Sequence, residues 1–293
     1  MADSQARPLV LSERLIRCPL CESADIALNL RPNLYRCGDC RLHFRNPRPG
    51  QGDILASYDR GETFASWQGE LAVRAFLWLK RLARVREFCA QGSLLDVGTG
   101  DGYFLQFASK HYSVSATELS RAGVDLAATR GADVFHGSVA DTVFDHQRFD
   151  VITLWHVLEH VPFPGELLKR LESLLKPGGH LFIAVPNERS MLLSPRALLG
   201  RRNPFDELFV GSEIHLTHFT PRVLKDYLRQ WTGLEFLALE VDDVYTEATF
   251  AGSLFMRFNA ALSRRFNTHF DRAMLLVCRR PPEGAPRAEV RTQ

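Results

Sequence analysis

Two groups of residues in this 293-residue chain have types and spacings that can do chemistry. Cys18, Cys21, Cys37 and Cys40 read C-x2-C-x15-C-x2-C. Each C-x2-C puts two sulfurs on one tight turn, and two such turns complete a tetrahedron around a zinc ion. Four thiolates leave no open coordination position, so zinc held there is structural rather than catalytic. A pair of disulfides, or four incidental thiols, is the other reading of this spacing. The second group is Asp96-Val97-Gly98-Thr99-Gly100-Asp101-Gly102, with Glu118 further on. The glycines let the backbone turn sharply and approach a ligand at a helix N-terminus whose amides face it. A carboxylate about 20 residues later can accept hydrogen bonds from two adjacent ribose hydroxyls, the logic of dinucleotide binding. The pattern here is G-x-G-x-G, which departs from the G-x-G-x-x-G fingerprint.

Positioning these groups requires strands and helices in alternation. SLLDV (93–97) reads as a short apolar strand leading into the glycines. GYFLQFASK then reads as helix, SVSATE as strand, SRAGVDLAATRGA as helix, VFHG and FDVITLW as strands, PGELLKRLESLLKPGG as helix and HLFIAVP as strand. Such alternation predicts βαβ units on a parallel sheet. After Pro186 the rhythm breaks over 187–219, and long irregular stretches are usually functional. Thr220-Pro221 predicts a helix start, with Thr as cap and Pro in the first turn. LEFLALEV (234–241) and AMLLVCR (273–279) read as two last strands, with a helix near 250–266. Upstream, residues 70–90 carry Leu71, Leu79, Leu82, Val85 and Phe88 at helical spacing, with Arg and Lys expected on the opposite face. That basic amphipathic helix is expected to pack on its own domain rather than on a membrane. NPRPGQG (46–52) reads as a linker, and the Pro-rich end as a frayed tail.

The chain is 45% hydrophobic and 24% charged, as in ordinary soluble proteins, which excludes disordered and low-complexity classes. Lys+Arg 36 against Asp+Glu 34 leaves +2, so no global field draws it to nucleic acid or an anionic surface. No apolar run is long enough to span a bilayer, and MADSQARPLV lacks a signal-peptide pattern, so the expected location is cytoplasmic, with reduced thiols. Cys89 and Cys278 sit in apolar runs and are expected to be inert and buried. Arg17, Arg31, Arg36, Arg41, Arg45 and Arg48 surround the cysteines, as a solvated face or as a grip on a phosphate-bearing substrate.

LLDVGTGDGYFL (94–105), the acidic strand end at Glu118, FDVITLWHVLEHVPFP (149–164) and LLKPGGHLFIAVPN (174–187) resemble the class I S-adenosylmethionine-dependent methyltransferases. The nearest look-alikes are of the ubiquinone-biosynthesis type, and several bacterial relatives carry a similar four-cysteine ribbon. The resemblance implies an α/β, Rossmann-like seven-stranded sheet of order 3-2-1-4-5-7-6 with strand seven antiparallel. It divides the chain into a zinc ribbon (1–50), a linker and helix (51–92), a catalytic domain (93–280, with an acceptor-side insertion at 186–220) and a tail (281–293). It implies that Gly98, Gly100 and Gly102 face the methionine part of the cofactor, that Asp96 supports them and that Glu118 binds the ribose. The adenine position falls on Ser138 and Val139, where the family often has Asp after Gly; Asp141 is a substitute. Trp155 closes the fourth strand beside the cofactor.

The acceptor side begins at His156, whose imidazole titrates in the range useful to a base. It is expected either to orient or deprotonate the acceptor, or to stack or cap. Some relatives hold a metal with E-x-x-E-H here; His156, Glu159 and His160 give H-x-x-E-H instead. His215 and His218, in an H-x-x-H-F-T-P segment like that near relatives' active-site rims, are substrate-contact candidates. Arg201, Arg202, Asp206 and Glu207 are lid candidates, and Tyr58 a residue that could fold over the cofactor. The expected activity is methyl transfer to a small-molecule acceptor, on oxygen or carbon. RNA methylation through the ribbon is the second reading, and a cofactor-binding scaffold without turnover the third.

Overall fold

A computed structural model describes residues 11–29, 32–59, 71–188, 215–242 and 273–284. The N-terminal part is built of very short strands: β1 (Leu11–Glu13), β2 (Ile26–Leu28), β3 (Leu34–Cys37), β4 (His43–Arg45) and β5 (Arg48–Pro49). Two helices follow, α1 (Gln51–Asp59) and α2 (Leu71–Phe88). Then come β6 (Gly92–Val97), α3 (Leu105–Ala108), β7 (Tyr112–Glu118), α4 (Arg121–Thr129), β8 (Phe135–His136) and β9 (Phe149–Trp155). The rest comprises α5 (Pro164–Leu174), β10 (Leu175–Pro186), β11 (Thr217–His218), α6 (Pro221–Trp231), β12 (Glu235–Val241) and β13 (Ala273–Arg279).

Seven strands form the central sheet in the order β12-β13-β10-β9-β6-β7-β8. All neighbours are parallel except β13, which is antiparallel to both β10 and β12. This is the order and the single reversal that the resemblance implies. Side chains alternate across the pleat. Leu95, Val97, Ile152, Leu154 and Ile183 pack with Leu168 and Leu171 of α5 and Leu224 and Tyr227 of α6. Leu94, Val151, Phe182 and Val277 pack on the other face with Leu82 and Val85 of α2 and Ala127 of α4. Both faces are covered, so the central strands read as unbroken apolar runs.

Local signals start the helices as expected. The Thr220 hydroxyl accepts from the Val223 amide, with Pro221 at the first position of α6. Ser120 does the same for Gly123 at the start of α4. The orientation of α2 differs from the expected one. Leu79 is 51% exposed while Arg81 is 4% exposed, so the inward stripe carries a guanidinium. Cys278 is buried as expected, whereas Cys89 is only half-buried, its thiol donating to the Gln91 carbonyl. The expected helix near 250–266, the residues Arg201, Arg202, Asp206 and Glu207, and the Tyr58 side chain lie outside the described residues. Among the described residues, no helix is long and apolar enough to cross a membrane.

The short strands β2, β3 and β4 form a four-stranded sheet whose fourth member is β11, from the far end of the chain. Cys18, Leu20, Cys21, Leu42 and Phe44 share one apolar cluster with Leu158, Phe219, Val223 and Tyr227. A Cβ on Gly165 would stand 2.1 Å from the Leu20 carbonyl, so only glycine lets α5 begin against that backbone.

Candidate functional site

β6 delivers Asp96 to the carboxyl edge of the sheet, where it is 1% exposed. The Thr153 hydroxyl donates to it at 2.6 Å. Burial dominates and raises its carboxyl to about 7. Gly98, Gly100 and Gly102 follow with φ of 68°, 61° and 67°, in the left-handed region that favours glycine. A Cβ on Gly102 would lie 2.7 Å from Cβ of Ala127, so this glycine also lets α4 close on the loop. Gly98 and Thr99 donate their amides to the Thr117 carbonyl at 2.9 and 3.0 Å. Glu118, at the end of β7, accepts the Gly100 amide on Oε2 and the Ser120 amide on Oε1, each at 2.8 Å. Burial raises its carboxyl, and the Ser120 and Gly100 amides pull it back down. Each oxygen keeps a second lone-pair direction for a hydroxyl donor.

Sequence reasoning missed what holds this loop in place. Asp101, 1% exposed, receives both Arg74 guanidinium nitrogens at 2.7 Å each and Arg130 at 3.2 Å. The two guanidinium groups lie 5.3 and 4.8 Å from the Tyr103 ring centre. Arg81 makes a fork to Asp242, just after β12, and Arg84 one to Glu240. Arg81 also lies 4.8 Å from both the Trp78 and the Trp155 rings. Arg74, Arg81 and Arg84 stand seven and ten residues along one helix, so their common stripe was the available signal. Trp155 packs edge-on to Phe104 at 5.6 Å and belongs to the apolar cluster behind the loop.

At the adenine position Ser138 donates its amide to Asp141 at 2.8 Å, and its hydroxyl accepts the Ala140 amide. Val139 is 2% exposed, with its carbonyl accepting from Arg170. The Gly137 amide donates to the Glu118 carbonyl at 3.0 Å, which ties this corner to the acid.

His156 follows β9 with φ of 58°, a strained conformation for histidine. Its amide donates to the Ala184 carbonyl at 2.9 Å. Nε2 lies 3.2 Å from Asp242 and Nδ1 3.4 Å from Glu159. Burial disfavours the imidazolium, but the Asp242 and Glu159 carboxylates overcome it and raise the pKa to about 9. With both nitrogens facing carboxylates, the cationic form of the ring is favoured, and the hydrogen bond runs from Nε2 to Asp242. Glu159 is 1% exposed; burial opposes its charge, and His156 and His160 hold it ionised.

Glu159, His160 and His215 bring one ligand atom each within 4.8 Å of one another, a set able to hold a divalent cation. His156 is not part of that set; His215, far along the chain from the other two, takes the third place. A small recess with room for about one water, lined by Glu159, Pro186, Glu188, His215, Thr217, His218 and Phe219, lies beside it. Burial, then His215, lowers His218 to about 3, so it stays neutral.

The four ribbon thiols are buried and unbridged. Cys18 and Cys40 sulfurs lie 3.5 Å apart, Cys21 and Cys37 3.6 Å, and all four fall within 4.8 Å. A tetrahedral zinc at about 2.3 Å from each sulfur requires nearly this spacing. Hydrogen bonds among the sulfurs push Cys18 and Cys40 up and Cys21 and Cys37 down. Of the surrounding arginines, Arg48 is 1% exposed, bonded to Glu13 and to the Pro162 carbonyl, so it braces the interior rather than a basic face.

The methyltransferase domain family matches residues 67–239. A ubiquinone biosynthesis O-methyltransferase of Coxiella burnetii is 30% identical over 154 residues, 49% of this chain and 64% of the relative. One from Marinobacter nauticus is 29% identical over 153 residues, 48% of this chain and 63% of the relative. The chain thus matches less than two thirds of these curated relatives. A chain from the complex between the Haloferax volcanii Trm112 methyltransferase activator and a methyltransferase superposes with TM-score 0.54 at 16% identity, over 78% of this chain and 100% of that one. An S-adenosylmethionine-dependent methyltransferase of Thermotoga maritima gives 0.53 at 15% identity, over 77% and 99%. These two likenesses show the shared fold. The family match covers more than half of the chain and contains the glycine loop, Glu118 and His156, and on it the chain belongs to the methyltransferase domain family.

Proposed function

We propose that this chain transfers a methyl group from S-adenosylmethionine to a small-molecule acceptor, on oxygen or carbon. The observation that carries the reading is the left-handed glycine loop between β6 and α3, braced by the carboxylate that closes β7. Residues Gly98 to Gly102 would hold the methionine portion, Glu118 the ribose hydroxyls, and Ser138 and Val139 the adenine edge. The cofactor when bound supplies an electrophilic methyl on a sulfonium, so the enzyme's work is alignment and exclusion of water. His156 already carries its proton at neutral pH and lies between two carboxylates. It therefore serves better to fix Glu159 and Asp242 than to take a proton. Glu159, held ionised beside it, is suited to be a cation ligand.

We read the ribbon as a structural zinc site, on the four converging sulfurs. The RNA reading loses one of its arginines, since Arg48 is internal, while Arg17, Arg36 and Arg41 stay exposed.

Calorimetric titration of the zinc-loaded protein with S-adenosylhomocysteine, beside Glu118→Ala, tests the proposal. Micromolar binding, weakened at least about tenfold in the variant, is expected, equal to about 1.4 kcal/mol. No binding to folded protein would sink the methyltransferase reading and favour the scaffold.

A further inference from the structure

The ribbon and the acceptor-side recess are parts of one construction. β4 pairs antiparallel with β11, with Phe44 opposite Thr217 and His43 opposite His218. The Arg45 amide donates to the Leu216 carbonyl at 2.9 Å, and the Leu216 amide to the Glu159 carbonyl at 2.8 Å. On the other side of the recess, Asn187 bridges to Phe219, and the Glu188 amide donates to the Phe219 carbonyl at 2.9 Å. One ribbon side chain faces Glu188 across the gap: His43 Nδ1 lies 2.8 Å from Glu188 Oε1, within ion-pair range but not aligned as a hydrogen bond. The Glu188 carboxyl is 2% exposed. A buried carboxylate is costly unless a partner faces it. His43 is three residues from Cys40, so the last cysteine turn sets the strand that presents it.

From this geometry we infer that the four-cysteine site governs the acceptor side: metal held by Cys18, Cys21, Cys37 and Cys40 keeps β4 in the register that pairs with β11, and His43 is the ribbon residue that positions Glu188 in the recess. The hydrogen bonds that hold the cofactor loop are made elsewhere. Its amides are held by Thr117, Glu118 and Asp101, and its outer brace is α2, none of them in the ribbon. Metal occupancy therefore sets acceptor binding without setting cofactor binding. This rests on the recess being the acceptor side of the methyltransferase proposed above.

Hydrogen exchange on the full-length protein tests it, zinc-loaded and then stripped by a chelator. Stripping is expected to speed exchange of the Arg45, Leu216 and Glu188 amides by about tenfold or more. The Gly98, Thr99, Gly100 and Ser120 amides should be unchanged, and S-adenosylhomocysteine affinity should stay within about twofold. Adding zinc back should restore protection. Equal protection of Leu216 and Glu188 in both forms overturns the inference, as does parallel loss at the glycine loop. If neither form binds S-adenosylhomocysteine, the functional reading fails while the exchange result still decides the coupling.

A second variant guards against global unfolding. His43→Ala, with zinc content verified by mass, should expose the Glu188 amide, and His43→Asn should restore it. Asn places an N–H donor at nearly the position of Nδ1. No change in His43→Ala, or no rescue by Asn, removes His43 from the positioning role.

Discussion

At the residue scale the cofactor corner is built from a few backbone amides and two buried acids, and its behaviour follows from their solvation. Asp96 has its carboxyl raised from 3.8 to about 7 by burial. Between those values the folded state keeps a proton that the unfolded chain has released. Stability should therefore fall as pH rises from about 4 to 7, the sign that linkage gives when the folded form binds more protons. Asp96→Asn removes that slope; urea unfolding at stepped pH should show a gain on the order of 2 kcal/mol at pH 7. A slope that survives in Asp96→Asn assigns it to another group. Gly102→Ala places a side chain at φ 67° and 2.7 Å from Ala127. It should cost about 1–3 kcal/mol and weaken S-adenosylhomocysteine binding, measured by denaturation and calorimetry on the same sample.

At the element scale, α2 is the part whose role differs most from its pattern. Its arginines cross from the glycine loop to the end of β12, with Arg81 buried between two indoles and Asp242. Among the described residues, Arg81→Ala leaves the Asp242 carboxylate facing His156 alone, and should destabilise by about 3 kcal/mol in urea unfolding. Arg81→Lys keeps the charge but loses the fork and should recover only part of it. The strands around the loop were legible because their apolar runs and glycine turns are local signals. The Thr220-Pro221 start and the glycine after α4 were legible for the same reason. The pairing of β4 with β11 was not. It joins residues about 170 apart through two-residue strands, too short for any alternation to register. The Arg81–Asp242 pair spans 161 residues, so the stripe shared by Arg74, Arg81 and Arg84 marks the helix face but does not name the partners. At the site, the individual histidines could be read from sequence, but not that His215 joins Glu159 and His160 rather than His156.

At the scale of the whole molecule, the charge of +2 and the internal use of Arg48 predict weak interaction with polyanions. A fluorescent RNA titrated at low salt should show no steep salt-dependent binding; a slope matching several phosphate contacts would restore the RNA reading. Saturating S-adenosylhomocysteine at about 100 times its dissociation constant should add about 2.7 kcal/mol to stability, visible as a raised melting temperature.

The cysteine-bearing segment and the sheet share one apolar cluster, and Gly165 admits the Leu20 backbone directly against α5. A fragment cut after residue 50 would therefore carry a raw wound where Leu158, Phe219 and Val223 meet solvent, and β11 would be left an orphan edge. Such a fragment should aggregate or be recovered only with the missing piece supplied in trans. For anyone engineering the acceptor range, the ribbon is better treated as inherited foundation than as a tag to be trimmed.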